Sequence, residues 1–269
     1  MDFQVDGRKA FAYTAAHALD PNQPTVVFLH GAGLDHSWFG LQSRYFGYHG
    51  RNVLAVDFPG HGRSEGPPLA TIESLADWVV RLLDAAQIRR ASLVGHSMGS
   101  LAALECAARH PQRIERIALI GTAYPMKVGE AFLEAARRNE QTAYDMSTIW
   151  GHAPKIPFGG NPNPGMWMYG DSLARLGRLA PGVLYASLKA CNDYAVGTES
   201  ARKVTCPALF ILGARDVMTP PKAASALVQA TNGARVVTLA SSGHSLMAEA
   251  PDAVLDALVE FLFEPVATG

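Results

Sequence analysis

A serine with glycine two residues away on each side, Gly95-His96-Ser97-Met98-Gly99, follows the apolar run Ser92-Leu93-Val94 and leads into Ser100-Leu101 and a further apolar stretch. A buried strand running into a helix over Met98–Arg109 must turn abruptly at the serine. Glycines at those two places remove side chains that would clash in such a turn. The hydroxyl then projects above the end of a sheet. The Met98 N–H, opening the helix, points at a developing oxyanion with the helix N-terminus behind it.

A serine hydroxyl is a poor nucleophile at neutral pH. Acyl transfer from it needs a base within hydrogen-bond reach and a carboxylate that orients the base. His244, in Ser241-Ser242-Gly243-His244-Ser245, stands between the last apolar run and the last helical pattern. Asp216, in Leu212-Gly213-Ala214-Arg215-Asp216, stands at the end of another late run.

These residues resemble the α/β-hydrolase superfamily. The segment at 95–99 resembles its nucleophile elbow, His30-Gly31-Ala32-Gly33 its oxyanion loop, and Ser241–Ser245 its histidine loop. Asp57-Phe58-Pro59-Gly60-His61-Gly62-Arg63-Ser64 resembles its D-x-P-G-x-G-x-S turn. The likeness implies the chain order nucleophile, acid, histidine. Of the histidines after Ser97, His110 ends the helix behind the elbow and His152 falls in an irregular middle region, which leaves His244 as the base. Some members carry the acid one strand earlier, where this chain has Gly121-Thr122-Ala123, so the resemblance assigns Asp216. Gly31 and Gly33 let backbone approach a substrate closely. The Ala32 N–H is the candidate second oxyanion donor, with Gly33 next. His30, His61 and His96 are read as bonded to loop backbone.

The resemblance implies an ester-cleaving serine hydrolase of the carboxylesterase or lactonase type. Dehalogenases and epoxide hydrolases of this fold carry aspartate where Ser97 stands, which points away from their chemistry. Three alternatives stay open on the same motifs: a carbon–carbon bond hydrolase of ring-cleavage products, a cofactor-free perhydrolase or haloperoxidase, and a non-catalytic ligand receptor. No G-x-G-x-x-G follows a strand, and neither HExxH nor a P-loop occurs, so neither a cofactor nor a metal is expected.

The elements that would position these residues follow from the hydrophobic pattern. Short apolar runs at Thr25–Leu29, Asn52–Val56, Ser92–Gly95, Ile114–Ile120, Ala208–Leu212 and Arg235–Leu239 alternate with stretches of helical period. That pattern predicts an α/β fold with a mostly parallel sheet flanked by helices. Lys9–Ala15 and the first residues are expected to add an antiparallel edge. Ile72, Leu75, Ala76, Val79, Leu82, Leu83 and Ala86 follow the spacing of a helix with one buried stripe. A C-terminal helix starts at Pro251.

From about residue 122 to 200 the alternation stops. The expected organisation is a core of residues 1–121 and 201–269 with an inserted helical cap at 122–200. Helical stretches are expected over Gly129–Thr142 and Val183–Ala195, and a long loop, a candidate lid, over Gly151–Gly165, which holds four Gly and four Pro. Met146, Trp150, Phe158, Met166, Trp167, Met168 and Tyr169 could line a pocket above the serine or form the cap's own core. Trp150, Trp167, Met168 and Tyr169 are the expected substrate contacts.

The chain has 269 residues, 48% hydrophobic and 17% charged, with net charge -1. It is long enough for one large core, and it lacks the basic field that nucleic acid or an anionic membrane would require. Cys106, Cys191 and Cys206 are scattered without CxxC spacing, which suggests neither a zinc site nor a disulfide set. The first eight residues lack a secretion-signal pattern, and no apolar run is long enough to span a bilayer. The expected setting is cytoplasmic, with a small-molecule substrate as the partner and no nucleic acid or membrane.

Overall fold

Runs such as Thr25-Val26-Val27-Phe28-Leu29 are apolar at nearly every position because both faces of a parallel strand are covered by helices. The computed structural model describes residues 1–156 and 165–265. Its strands are β1 (Asp2–Val5), β2 (Arg8–Tyr13), β3 (Thr25–Leu29), β4 (Asn52–Val56), β5 (Ala91–His96), β6 (Ile114–Ile120), β7 (Ala208–Gly213) and β8 (Arg235–Leu239). They form one sheet in the order β1-β2-β4-β3-β5-β6-β7-β8. The pairs β1–β2 and β2–β4 are antiparallel, and the remaining strands run parallel.

The helices are α1 (Gly40–Tyr48), α2 (Ile72–Ala85), α3 (Met98–Arg109), α4 (Glu130–Arg137), α5 (Gln141–Trp150), α6 (Met168–Leu176), α7 (Val183–Asp193), α8 (Gly197–Lys203), α9 (Pro221–Ala230), α10 (Leu246–Glu249) and α11 (Pro251–Phe263). Among them α2 shows plainly why sequence becomes helix. Thr71 and Ser74 form a capping box at its start, and Ile72, Leu75, Ala76, Val79, Leu82 and Leu83 are buried along one stripe. One face of the sheet packs on α2, α3, α8 and α9, and the other on α1 and α11. None of the helices described is long and apolar enough to cross a membrane.

The sheet order places a switch point between β3 and β5, because the chain leaves β3 toward β4 and returns on the other side of β3 as β5. Ligands of open α/β sheets bind in the crevice at the carboxyl ends of such strands. Register brings the ends level: Leu29 lies opposite Gly95, and His96 opposite Ile120. The residues following β3, β5 and β6 therefore share one rim.

The helices α4 to α8 lie between β6 and β7. The helix expected over Gly129–Thr142 is two helices, broken where Asn139 takes a left-handed backbone, φ +56°. Phe132, Ala135, Ala143, Leu176, Leu184 and Leu188 form a small apolar core shared by α4 to α7. Helix α8 crosses the expected boundary at 200/201 and docks on the scaffold. Ser200 Oγ and Tyr194 Oη each donate to Glu105 of α3 at 2.6 Å. Of the expected Gly151–Gly165 loop, residues 157–164, with Phe158, lie outside the described residues.

Candidate active site

Ser97 is the single residue between β5 and α3, and its backbone takes φ 50°, ψ −115°, a strained conformation for a residue with a side chain. Neighbouring backbone presses on the turn from both sides. A β-carbon on Gly95 would stand 2.1 Å from the Gly99 carbonyl oxygen, and one on Gly99 would stand 2.1 Å from that of Leu29. Glycine at both positions lets helix α3 start against the ends of β3 and β5.

His244 lies in the turn after β8 and Asp216 in the turn after β7. His244 Nδ1 donates to Asp216 Oδ2 at 2.7 Å. The other carboxylate oxygen, Oδ1, accepts from the backbone N–H groups of Met218 and Thr219 at 2.8 and 2.7 Å. Burial pushes the Asp216 carboxyl up, but the facing His244 and the hydrogen bonds from His244 and Thr219 outweigh it and hold the group down at about 2. Asp216 is thus a carboxylate at neutral pH, and Nδ1 of His244 carries the proton it donates.

Ser97 and His244 line one cavity of about 380 Å³. Among the described residues, neither Ser97 Oγ nor His244 Nε2 has a hydrogen-bond partner, so both are available to a molecule in the cavity. Gly31 and Ala32 line the wall beside Ser97. A β-carbon on Gly31 would lie 3.2 Å from Ser97 Cβ, so the loop after β3 has its backbone at the serine. Met98 N–H belongs to the first turn of α3, where no intrahelical acceptor exists. Gly121, at the alternative acid position, faces the ring of His244, since a β-carbon there would meet Nδ1 at 3.2 Å.

The remaining histidines of the rim bond to backbone or to neighbouring hydroxyls. His30 Nδ1 donates to the Gly31 carbonyl and Nε2 accepts from Phe58 N–H, at 2.8 and 3.1 Å. His61 bonds Pro59 O and Ser187 Oγ, and burial drives its pKa down to about 3. His96 Nε2 donates to the His244 carbonyl at 2.9 Å. Burial, followed by repulsion from His244, pushes His96 well below its ordinary value and keeps it neutral.

The expected substrate contacts separate. Trp150 lines the cavity and packs edge-on against Phe132, with ring centres 5.7 Å apart. Trp167 is 75% exposed, Met168 is buried, and Tyr169 packs on His152; none of the three is among the lining residues. The apolar wall is supplied instead by Leu34, Trp38, Met126, Phe132, Leu176 and Leu188. Sequence reasoning missed these, because Leu34 and Trp38 come from the turn after β3, Met126 from the chain after β6 and the rest from α4 to α7, and only the packing of these segments over the rim brings them together.

Thr219 was also missed. Its hydroxyl donates to Asp216 Oδ2 at 2.6 Å and lies 3.0 Å from His244 Nδ1. The signal was present as Asp-x-x-Thr after a strand, a spacing that lets a hydroxyl fold back on the carboxylate.

Asp35, His36 and Asp57 bring ligand-type atoms within 4.8 Å of one another. Their bonds already serve the turns after β3 and β4. Asp57 accepts from His36 N, His36 Nδ1 and Arg63 N at 2.7 to 2.8 Å, and Asp35 caps the turn at Ser37 and meets Arg175.

The family profile described as the Alpha/beta hydrolase family matches residues 26–257. The pimeloyl-[acyl-carrier protein] methyl ester esterase of Chromobacterium violaceum is 28% identical over 252 residues, 89% of this chain and 94% of the relative. The crystal structure of an enol-lactonase from Burkholderia xenovorans superposes with TM-score 0.85 at 28% identity, covering 98% of this chain and 100% of the other. A stretch of 125 residues, 43% of this chain, is 39% identical to a dihydrolipoyllysine-residue acetyltransferase component of an acetoin cleaving system from Cupriavidus necator. The match spans 32% of that longer protein.

Proposed function

This chain belongs to the alpha/beta hydrolase family and is an ester-bond hydrolase; on that premise we propose that it cleaves a small hydrophobic carboxylic ester or lactone through an acyl-enzyme on Ser97. The observation that carries the reading is the His244–Asp216 pair, bonded at 2.7 Å in a wall of the cavity that Ser97 also lines.

In this reading His244 Nε2 takes the proton of Ser97 Oγ as that oxygen attacks the carbonyl carbon. Met98 N–H and Ala32 N–H hold the resulting oxyanion. His244 then protonates the leaving alkoxide, which departs from an ester or stays tethered in a lactone. Water enters and gives its proton to His244 as it attacks the acyl carbon, and the acid is released as His244 passes that proton to the departing Ser97 Oγ. Asp216 keeps the imidazole in the Nδ1–H tautomer and stabilises the imidazolium at each step. That Ser97 Oγ and His244 Nε2 are unbonded is compatible with this, since catalytic hydrogen bonds tighten in the substrate complex.

Substrate size and polarity are argued from the wall. Leu34, Trp38, Met126, Phe132 and Leu188 favour an apolar acyl group, and the segment 122–200 serves as the cap that encloses it. Two of the similar proteins are named for a methyl ester and an enol-lactone, which supports both substrate types.

The test is labelling by a fluorophosphonate followed by a chain-length series of p-nitrophenyl esters and simple lactones. Wild type should label at Ser97 and turn over short esters, and Ser97→Ala should do neither. Ester hydrolysis undiminished in Ser97→Ala would remove the assignment.

A further inference from the structure

His244 stands on the turn Ser242–Ser245, and that turn is gripped on both of its faces. On one side it lies against the end of β7, where a β-carbon on Gly213 would come 2.3 Å from Gly243 O. On the other it lies against the chain that follows α5, where a β-carbon on Gly243 would come 2.5 Å from Ala153 N. Only a glycine permits backbone to approach backbone that closely.

Glu249, at the end of α10, closes the grip. Its carboxylate is buried, 6% exposed, and has no cation as partner among the described residues. Oε2 accepts from Gly243 N–H at 2.9 Å and from Ala153 N–H at 3.1 Å, and Oε1 accepts from Ser245 N–H at 3.2 Å. Two of these three donors flank His244 in the chain. The third belongs to the segment between β6 and β7. Ser245 N–H also reaches Gly151 O at 2.8 Å, so the same segment touches the turn twice. A carboxylate without a counter-charge is costly to bury unless N–H groups satisfy it, and this one is committed to the backbone around a single histidine.

We propose that Glu249 is a positioning residue: one carboxylate holds the N–H groups on both sides of His244 and that of Ala153, setting where the imidazole stands relative to Ser97. The placement of the base thereby depends on how residues 151–153 are seated. His96, which holds the His244 carbonyl, completes the frame from the elbow side. The inference rests on the reading of Ser97 and His244 as nucleophile and base.

Glu249→Gln keeps the size but replaces one accepting oxygen with an N–H₂ group that faces a backbone N–H. It should fold with a cooperative melt. Its kcat on a short p-nitrophenyl ester should fall by about 10- to 100-fold with KM within about threefold, as expected when a reacting group is displaced by about an ångström. Fluorophosphonate labelling of Ser97 should slow by the same factor, since labelling also needs the base. A folded Glu249→Gln with wild-type kcat overturns the proposal.

A second measurement on wild type stands apart from the variant's folding. The amides of Ala153, Gly243 and Ser245 should exchange with deuterium slowly and as one group. Exchange of these three at unprotected rates overturns the proposal even if the variant is inactive. Absence of both labelling and turnover in wild type would instead remove the proposed reaction, while the exchange result would still report on the grip.

Discussion

The carbonyl oxygen of Leu29 stands 2.1 Å from the place a β-carbon would occupy on Gly99. Strand β3 and helix α3 therefore meet backbone to backbone. Gly99→Ala should cost at least about 3 kcal/mol through overpacking with no flexible side chain to give way. Chemical denaturation would measure it, and a variant as stable as wild type would show that the two elements separate easily.

The strain at Ser97 makes a different prediction. Ser97→Ala keeps a β-carbon at φ 50°, whereas Ser97→Gly relieves it. Strain of this kind is worth about 1–3 kcal/mol, against which glycine loses up to about 1 kcal/mol in unfolded-state entropy. The glycine variant should be inactive yet about 1 kcal/mol more stable than the alanine variant, a rise of about 2–4 °C in melting temperature.

Asp216 links the site to acid stability. Its folded pKa of about 2 lies below the ordinary 3.8, so the folded state binds this proton less tightly than the unfolded chain does. The stabilisation is complete above pH 4 and is lost as pH falls toward 2, amounting to about 2 kcal/mol. Asp216→Asn should lose that part of the pH dependence, read from urea unfolding at pH 5 and pH 2.5. Its kcat near neutral pH should fall about 10³- to 10⁴-fold, because Asn no longer favours the required tautomer.

Cys191 shares the cavity with Ser97, but burial pushes its thiol up to about 12. It is protonated at working pH and does not compete as a nucleophile. Iodoacetamide at pH 8 should cost less than about a tenth of the activity. Rapid inactivation together with a mass shift on the peptide holding Cys191 would contradict this.

Phe132 and Trp150 meet edge to face in the cavity wall. Phe132→Ala should enlarge the cavity proposed to take the acyl group and raise kcat/KM for long over short esters by about tenfold, the scale on which a few methylenes are discriminated. An unchanged chain-length profile would place the acyl group elsewhere.

Much of this was legible along the chain. Strands β3, β4 and β6 begin and end where the apolar runs do, because a strand covered on both faces is largely apolar along its length, and the more exposed edge strand β8 coincides with its run as well. Local spacing also disclosed the turn at Ser97. The break at Asn139 was not legible, since a left-handed residue at a helix end leaves little trace in hydrophobic period. Nor was the cavity wall. Trp150 and Trp167 look alike in sequence, yet one lines the cavity and the other faces outward.

By itself the sequence determined the strand–helix alternation, the strained serine between two glycines, and the pool of residues from which a base and an acid could be drawn. These are local properties, set by side-chain volume, backbone freedom and hydrophobic period. Only the tertiary structure decided that the turns after β7 and β8 meet at His244 and Asp216, and that Thr219 and Glu249 brace them. It likewise decided which apolar side chains of α4 to α7 reach the cavity. Those contacts join residues far apart in the chain, and their geometry follows from how strands and helices pack rather than from any spacing between neighbours.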